Sequence, residues 1–411
     1  MKKSKKKFVL AGLVLLAITM VLLPLSGCKN DSVPPEVEKQ EQEDGGGSET
    51  DKNDTVPETP ETPKYEVTFD VGGNREATAP ASITVESGTK LTADQVPEFS
   101  DTSSYQFMGW YLGDTEIKAG YTVTEPVTVT ARWQGWLTFT AEGEQSLIIG
   151  ASGNMEIPDS MVYSTDGSNW YKPEVDTFIS FGNETKLYLR AKSSIGTAEF
   201  PGEHLVFQFE TEEEVACSGD IRTLVDYTNP TGADTSNARF CRLFELCSQL
   251  TQAPELPAKT LAAGCYEGMF SGCTSLAQAP ELPAENLAGN CYEGMFSGCT
   301  SLTEAPELPA KILAGFCYFA MFSGCTGLTE APELPAETLA DHCYFWMFSG
   351  CEKLDSVTML ATDVSAFNAL SNWLKDTADV GTLYVASGMT TDRTIRGSLP
   401  TGWTVEVAAT N

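Results

Sequence analysis

Histidine is nearly missing from this chain of 411 residues, which holds two, His204 and His342. Basic residues are also few, 26 against 57 acidic, for a net charge of −31. Long apolar runs are confined to the first 23 positions. Each scarcity excludes something. With two histidines and no Gly-x-Ser-x-Gly elbow, phosphate loop or His-Glu-x-x-His, no nucleophile–base pair or metalloenzyme centre is evident. His342 does precede Cys343, but its counterparts one repeat apart are Gly264, Asn290 and Phe316, so the position is a variable surface one. The twelve cysteines lack the Cys-x₂₋₄-Cys spacing of zinc sites. We therefore expect no catalysis, no cofactor and no metal. The charge balance opposes nucleic-acid binding and favours basic partners or divalent ions.

What is present begins with Lys2, Lys3 and Lys5 to Lys7, followed by the apolar stretch Phe8 to Leu23. Leu25-Ser26-Gly27-Cys28 resembles the lipobox of bacterial lipoproteins. The resemblance implies a signal peptide over 1–27, a lipid on Cys28, and export to the cell envelope, with surface display as the expected address. Two or three acyl chains anchor stably, since each buried methylene contributes about 0.8 kcal/mol. Setting aside the five lysines before Cys28 moves the remaining chain from −31 to −36. Residues 28–64 read as a disordered acidic tether. Lys29 to Lys64 holds eleven acidic and four basic residues, five prolines, three consecutive glycines and few large apolar side chains. Its r.m.s. reach as flexible coil is roughly 30–35 Å.

Residues 65–134 read as a small β domain. Tyr65-Glu66-Val67-Thr68-Phe69 alternates as a half-buried strand does, and Gly72-Gly73-Asn74 ends it. Val67-Thr68-Phe69-Asp70, Val85-x-x-Gly88-Thr89-x-Leu91, Phe107-x-Gly109-Trp110-Tyr111 and Val129-x-Ala131-Arg132-Trp133 resemble the InlB B-repeat family. That resemblance implies a β-grasp-like spacer or adhesive module. Trp110, Tyr111 and Trp133 can serve as a sugar platform or pack the core of a small sheet, and packing is the simpler reading. Residues 135–215 read as a β-sandwich-like domain, with Asp166-Gly167 between Tyr163 and Trp170 as a hairpin signal.

The rest is organised by a 26-residue repeat. Cys247, Cys273, Cys299, Cys325 and Cys351 are evenly spaced, as are Cys265, Cys291, Cys317 and Cys343. A period of this size predicts stacked copies of one supersecondary unit. In Thr300 to Cys325, Leu302 to Ala305 reads as a short strand, and Pro306 and Pro309 limit its length. Leu313, Cys317 and Met321 fall at i, i+4 and i+8, which predicts a short helix ending near Gly324. Met-Phe-Ser-Gly-Cys-Thr-x-Leu at 269–276 and 295–302, with Pro-Glu-Leu-Pro following, resembles the BspA-like, Treponema pallidum-type leucine-rich repeats. The 26-residue unit and Met-Phe depart from that family's usual shorter unit and Ala-Phe. The resemblance implies a leucine-rich-repeat α/β solenoid over 216–354 with an N-terminal cap, on a surface protein that adheres to host or neighbouring-cell proteins. Residues 355–411 read as a C-terminal cap, in which Val364, Phe367, Leu370, Trp373 and Leu374 space as one face of an amphipathic helix.

The ladder cysteines read as buried thiols filling a narrow interior, with disulfides as the alternative and a Cys217–Cys241 bridge open. Glu255, Glu281, Glu307 and Glu333 form one row, and Glu304 and Glu330 extend a second from Gln252 and Gln278. Carboxylates about 5 Å apart in water repel by roughly 0.8 kcal/mol, which such a stack tolerates. These rows are either a strip for basic partners or calcium, or a solvated face that keeps strands from pairing with other chains. Positions that vary between repeats, Thr303, Glu304, Phe316, Phe319, His342 and Trp346, are where a partner is distinguished; Phe319 and Trp346 join the six glutamates as partner-binding candidates. The expected function is non-catalytic protein binding. A structural role in the cell envelope, and glycan capture by the β modules, are the alternatives.

Overall fold

The computed structural model describes residues 61–409 apart from 75, 76, 103 and 114. The signal peptide, Cys28 and most of the tether lie outside the described residues. The chain from Glu61 to Asn411 forms one compact unit. It is mostly β, with several open sheets and few helices. No described helix is long and apolar enough to cross a membrane.

The first sheet contains β1 (Lys64–Asp70), β2 (Ile83–Glu86), β3 (Tyr105–Leu112), β4 (Thr115–Ile117) and β5 (Val127–Gly135). Its order is β2-β1-β5-β3-β4, with β1 and β5 parallel and the other pairs antiparallel. Alternation along β1 and β5 sends Val67, Phe69, Val129 and Trp133 into one core. Trp110 and Trp133 are buried there. Each satisfies its indole N–H on a carbonyl, Pro97 at 2.6 Å and Val71 at 2.9 Å. They are core residues, and no sugar platform forms from them. Tyr111 lies under the Arg132 guanidinium, 4.2 Å from ring centre.

Next come β6 (Leu137–Thr140), β7 (Gln145–Ala151), β8 (Val162–Ser164), β9 (Phe178–Phe181), β10 (Leu187–Arg190), β11 (Ala198–Phe200), β12 (Glu203–Phe209), β13 (Val215–Ser218) and β14 (Leu250–Gln252). They build two sheets, β14-β13-β6-β10-β8 and β11-β12-β7-β9. At the foreseen Asp166-Gly167 turn, the Asp166 carboxylate accepts the Ser168 and Asn169 N–H groups at 2.8 and 2.7 Å. Because β14 belongs to the repeats and pairs in parallel with β13, the first of these sheets runs directly into the repeat stack. One apolar core accordingly continues from Leu137 to Trp403.

In the repeats the expected helix does not form. The stretches 264–273, 290–299, 316–325 and 342–351 are successions of tight turns. In Phe316 to Cys325, the N–H groups of Phe319, Met321, Ser323 and Cys325 each bond the carbonyl three residues back. The backbone enters the left-handed region at every fourth residue: Phe316, Ala320 and Gly324. A four-residue turn repeat and a helix place i, i+4 and i+8 on one side alike, so apolar spacing could not separate them. The separating signal was Gly264, Gly268 and Gly272 at the same interval, which a helix interior disfavours and left-handed turns require.

The remaining N–H groups bond across units. Phe316, Tyr318, Ala320, Phe322 and Gly324 donate to Asp341, Cys343, Phe345, Met347 and Ser349 at 2.7 to 3.2 Å. Inside, Phe244, Phe270, Phe296, Phe322 and Phe348 stack with centroids 5.6 to 5.7 Å apart. Above β14 the expected strands shrink to single parallel bridges, Gln278 to Glu304 and Glu304 to Glu330.

The same turns extend beyond the visible repeat. Residues 238–247 supply a stretch below it and 368–376 one above it, with Asn368, Asn372 and Asp376 left-handed. This corrects the amphipathic helix expected near Val364. Its buried members do enter the core, but Phe367 is 66% exposed. The chain ends with β15 (Ser356–Met359), β16 (Gly381–Val385), α1 (Arg393–Gly397) and β17 (Trp403–Val407), whose strands form a parallel sheet.

Candidate interaction site

None of the eleven described cysteines forms a disulfide, and all are buried. The Cys299 thiol donates to the Phe270 carbonyl at 3.1 Å, and the Cys325 thiol to that of Phe296 at 3.0 Å. Those carbonyls also accept the N–H of Cys273 and Cys299 respectively. The thiols of this ladder are therefore hydrogen-bond donors as well as interior filler. Burial pushes the thiol pKa values up, to about 12 for Cys247, Cys291, Cys325 and Cys343. Burial thus favours the neutral thiol over the thiolate at these positions. His204 is buried with Nδ1 2.9 Å from the Pro201 carbonyl. His342 holds Nε2 3.3 Å from the Asn368 side-chain amide.

The acidic candidates lie apart from the turns. Glu304 and Glu330 face each other through a parallel bridge and are exposed, as are Glu281, Glu307 and Glu333. Glu255 is half-buried beside Asp220, its N–H bonded to the Gly219 carbonyl at 2.9 Å. Among the described residues, no group of three or more histidine, cysteine or acidic side chains is placed to hold a metal ion.

The turn face carries a different arrangement. Of the three left-handed positions in each unit, the first two lie on this face, and a Cβ at Gly294 would meet nothing within 4 Å. In the first repeats they are filled by Gly264, Gly268, Asn290 and Gly294. In the next two they carry Phe316, Ala320, His342 and Trp346, at φ of 60°, 50°, 57° and 55°. Bulky residues are rare there, because Cβ crowds the following carbonyl at a cost of about 1–2 kcal/mol. The stack imposes this backbone, and the outward direction is what aromatic side chains gain from it.

The rings gather into one cluster. Phe316 stacks on His342 at 4.4 Å, and Phe319 on Phe345 at 5.2 Å. Trp346 packs against Phe319 at 5.9 Å and edge-on to Phe345 at 4.9 Å. Phe367 meets His342 edge-on at 5.2 Å. Phe316 is 37% and Trp346 42% exposed. So the structure joins Phe316, Phe319, His342 and Trp346, and leaves Thr303 and the glutamate rows on another stretch of the repeat. Sequence reading missed Phe345 and Phe367. Phe345 stands where other repeats have Glu267, Glu293 and Phe319, a signal that was legible; Phe367 was absorbed into the supposed helix.

Below the cluster, the same positions become acidic. Glu293 precedes Phe319 by one repeat and accepts from the Asn290 amide. Glu267, one repeat lower, has its carboxyl pKa raised by burial first and by Glu293 second. Arg242 bonds Glu245 at 2.8 Å and Glu267 at 3.4 Å. The face thus runs from a charged end to an aromatic end.

Comparison with protein-family models, with curated proteins and with solved structures finds no match.

Proposed function

We propose that this chain is a lipid-anchored surface protein that binds other proteins through the turn face of its repeat stack, without catalysis. The exposed aromatic cluster from Phe316 to Phe367 carries the reading. Aromatic side chains dominate binding energy at interfaces, and a contiguous exposed group of them marks a contact surface. Glu293 on the same face fits a partner segment that pairs an apolar side chain with lysine or arginine. The lipobox-like Leu25 to Cys28 supports the anchor. The 26-residue period and its parallel bridges support a leucine-rich-repeat solenoid of the BspA-like type, and β1 to β5 an InlB B-repeat module. Host or neighbouring-cell surface proteins are the partners this reading names.

The test displays Glu61–Asn411, wild type and Phe319→Ala/Trp346→Ala, against host and bacterial surface proteins and glycans. Saturable binding of a basic protein, lost in the variant, is expected. Glycan binding or self-association that survives both substitutions overturns the assignment.

A further inference from the structure

The bonds between successive turn stretches all point the same way. Phe240 donates to Cys265, Tyr266 to Cys291, Tyr292 to Cys317, Tyr318 to Cys343 and Tyr344 to Ala369, at 2.6 to 3.2 Å. Acceptor and next donor belong to one peptide group (Cys265 with Tyr266, for example), so this is a column of peptides aligned head to tail. Four parallel columns repeat the pattern. One runs from Gly264 to Phe367, one from Arg242 to Ser371, one from Phe244 to Trp373 and one from Leu246 to Lys375. In each, the N–H points toward the following stretch and the C=O toward the preceding one. Head-to-tail alignment of this kind gives an α-helix about half a positive charge at its N-terminus. Here five columns end side by side.

The two ends differ. At the lower end, the Arg239 and Leu243 carbonyls accept the N–H groups of Thr197 and Phe207, at 2.9 and 2.7 Å. At the upper end, the columns terminate in the N–H groups of Asn368, Leu370, Asn372, Leu374 and Asp376. None of these has a hydrogen-bond partner among the described residues. Facing the last stretch is the end of α1 with the residues that follow it, of which Ser398 accepts the Trp373 indole N–H at 3.1 Å. Between them is a cavity of about 730 Å³ lined by Asn368, Leu370, Asn372 and Asp376, with Lys375, Thr394 and Ser398 on its walls. Asp376 contributes a carboxylate at the rim, 3.6 Å from the Lys375 ammonium.

We propose that this cavity is an oxyanion site, in which the unpaired N–H groups of Asn368, Leu370 and Asn372 and the Lys375 ammonium hold a phosphate or sulfate group. Unpaired backbone N–H groups at the positive end of aligned peptides recognise such anions in other folds. A second copy stacked end to end is a poorer occupant, since three of the five carbonyls it must offer, those of Arg239, Leu243 and Ala263, are already engaged within the chain. An ordinary extended strand also fits poorly, because these donors sit on a turn ribbon. The volume exceeds one tetrahedral ion and leaves room for the group that carries it. This site adjoins the aromatic face, since the Asn368 side-chain amide lies 3.3 Å from His342 Nε2, but the groups that would hold the anion are backbone N–H groups and Lys375 rather than the rings.

The experiment titrates ¹⁵N-labelled Glu61–Asn411, which contains both hydrophobic cores, with inorganic phosphate, inorganic sulfate, glucose 6-phosphate and glucose 6-sulfate, at ionic strength held constant with chloride. Saturable shifts confined to the amides of 368–376 are expected. Tighter binding of the sugar esters identifies an ester ligand, and equal binding a free ion. Gly397→Glu, at a position where a side chain meets nothing within 4 Å, puts a carboxylate beside the cavity and should weaken binding at least tenfold with the melting temperature retained. Lys375→Gln should weaken it severalfold. Shifts spread evenly over the chain, absence of saturation, or unchanged binding in Gly397→Glu overturns the proposal.

Discussion

Phe316 and His342 lie ring against ring, 4.4 Å between centroids and 5° from parallel, each on a left-handed backbone. One repeat lower, the same position holds Asn290, and two lower Gly264. Residues that strain the backbone stand where permissive ones served equally well for folding. Such strain is found where a surface has a task.

Trp346→Gly should separate task from fold. Relief of the left-handed backbone offsets much of the lost ring contact, so stability in urea should change by no more than about 1 kcal/mol. Partner binding should fall by roughly 2 kcal/mol, about thirtyfold, as for a central aromatic anchor. A loss of stability of core size, about 3 kcal/mol or more, with binding intact contradicts the surface role.

Glu330→Gln with Glu333→Gln should leave that binding within about a factor of five. Both carboxylates are exposed on a stretch distinct from the aromatic cluster, and exposed charge pairs contribute at most about 1 kcal/mol. Stability should hold or rise slightly as Glu330 ceases to repel its bridge partner Glu304. Surface plasmon resonance at two salt concentrations decides. A large loss relocates the site to the acidic rows.

The buried thiols predict abrupt alkaline unfolding. Their folded pKa values are raised above the ordinary 9.0, to about 12 for Cys291 and Cys325. The unfolded chain therefore releases thiol protons first as pH rises through 9. Stability is complete below that pH and is lost between 9 and about 12, at ~1.4 kcal/mol per pH unit for each such thiol. Circular dichroism against pH should show a steep transition in that window, and a thiol reagent at pH 8 should label the cysteines only in denaturant. Rapid labelling of native protein contradicts the buried ladders.

Two glycines should respond unequally to alanine. Gly294 (φ 59°) has open space at its Cβ, so Gly294→Ala should cost only the left-handed penalty of about 1 kcal/mol. Gly327 would place its Cβ within 3.0 Å of the Leu302 carbonyl oxygen and closer still to that of Thr300. Gly327→Ala should cost at least about 1 kcal/mol more, read as a lower urea midpoint at unchanged slope. Equal costs refute the close approach of Gly327 to those carbonyls.

The repeat, its period and its buried residues were legible from spacing alone, because every unit must bury the same side chains at the same interval. So were the strand at Tyr65 to Phe69 and the Asp166-Gly167 turn, through alternation and turn chemistry, and the surface location of Phe319 and Trp346, through variation between otherwise equal units. Spacing could not choose between a helix and four-residue turns, which bury i, i+4 and i+8 alike. That choice rests on hydrogen bonds between residues about 25 apart, which only the stack creates. It also put Phe367 beside His342, extended the turns into 238–247 and 368–376 where the repeat had decayed, and aligned the peptides of six stretches into columns. Each is a relation between distant segments, and the four-residue interval of Gly264, Gly268 and Gly272 is the one local trace of it.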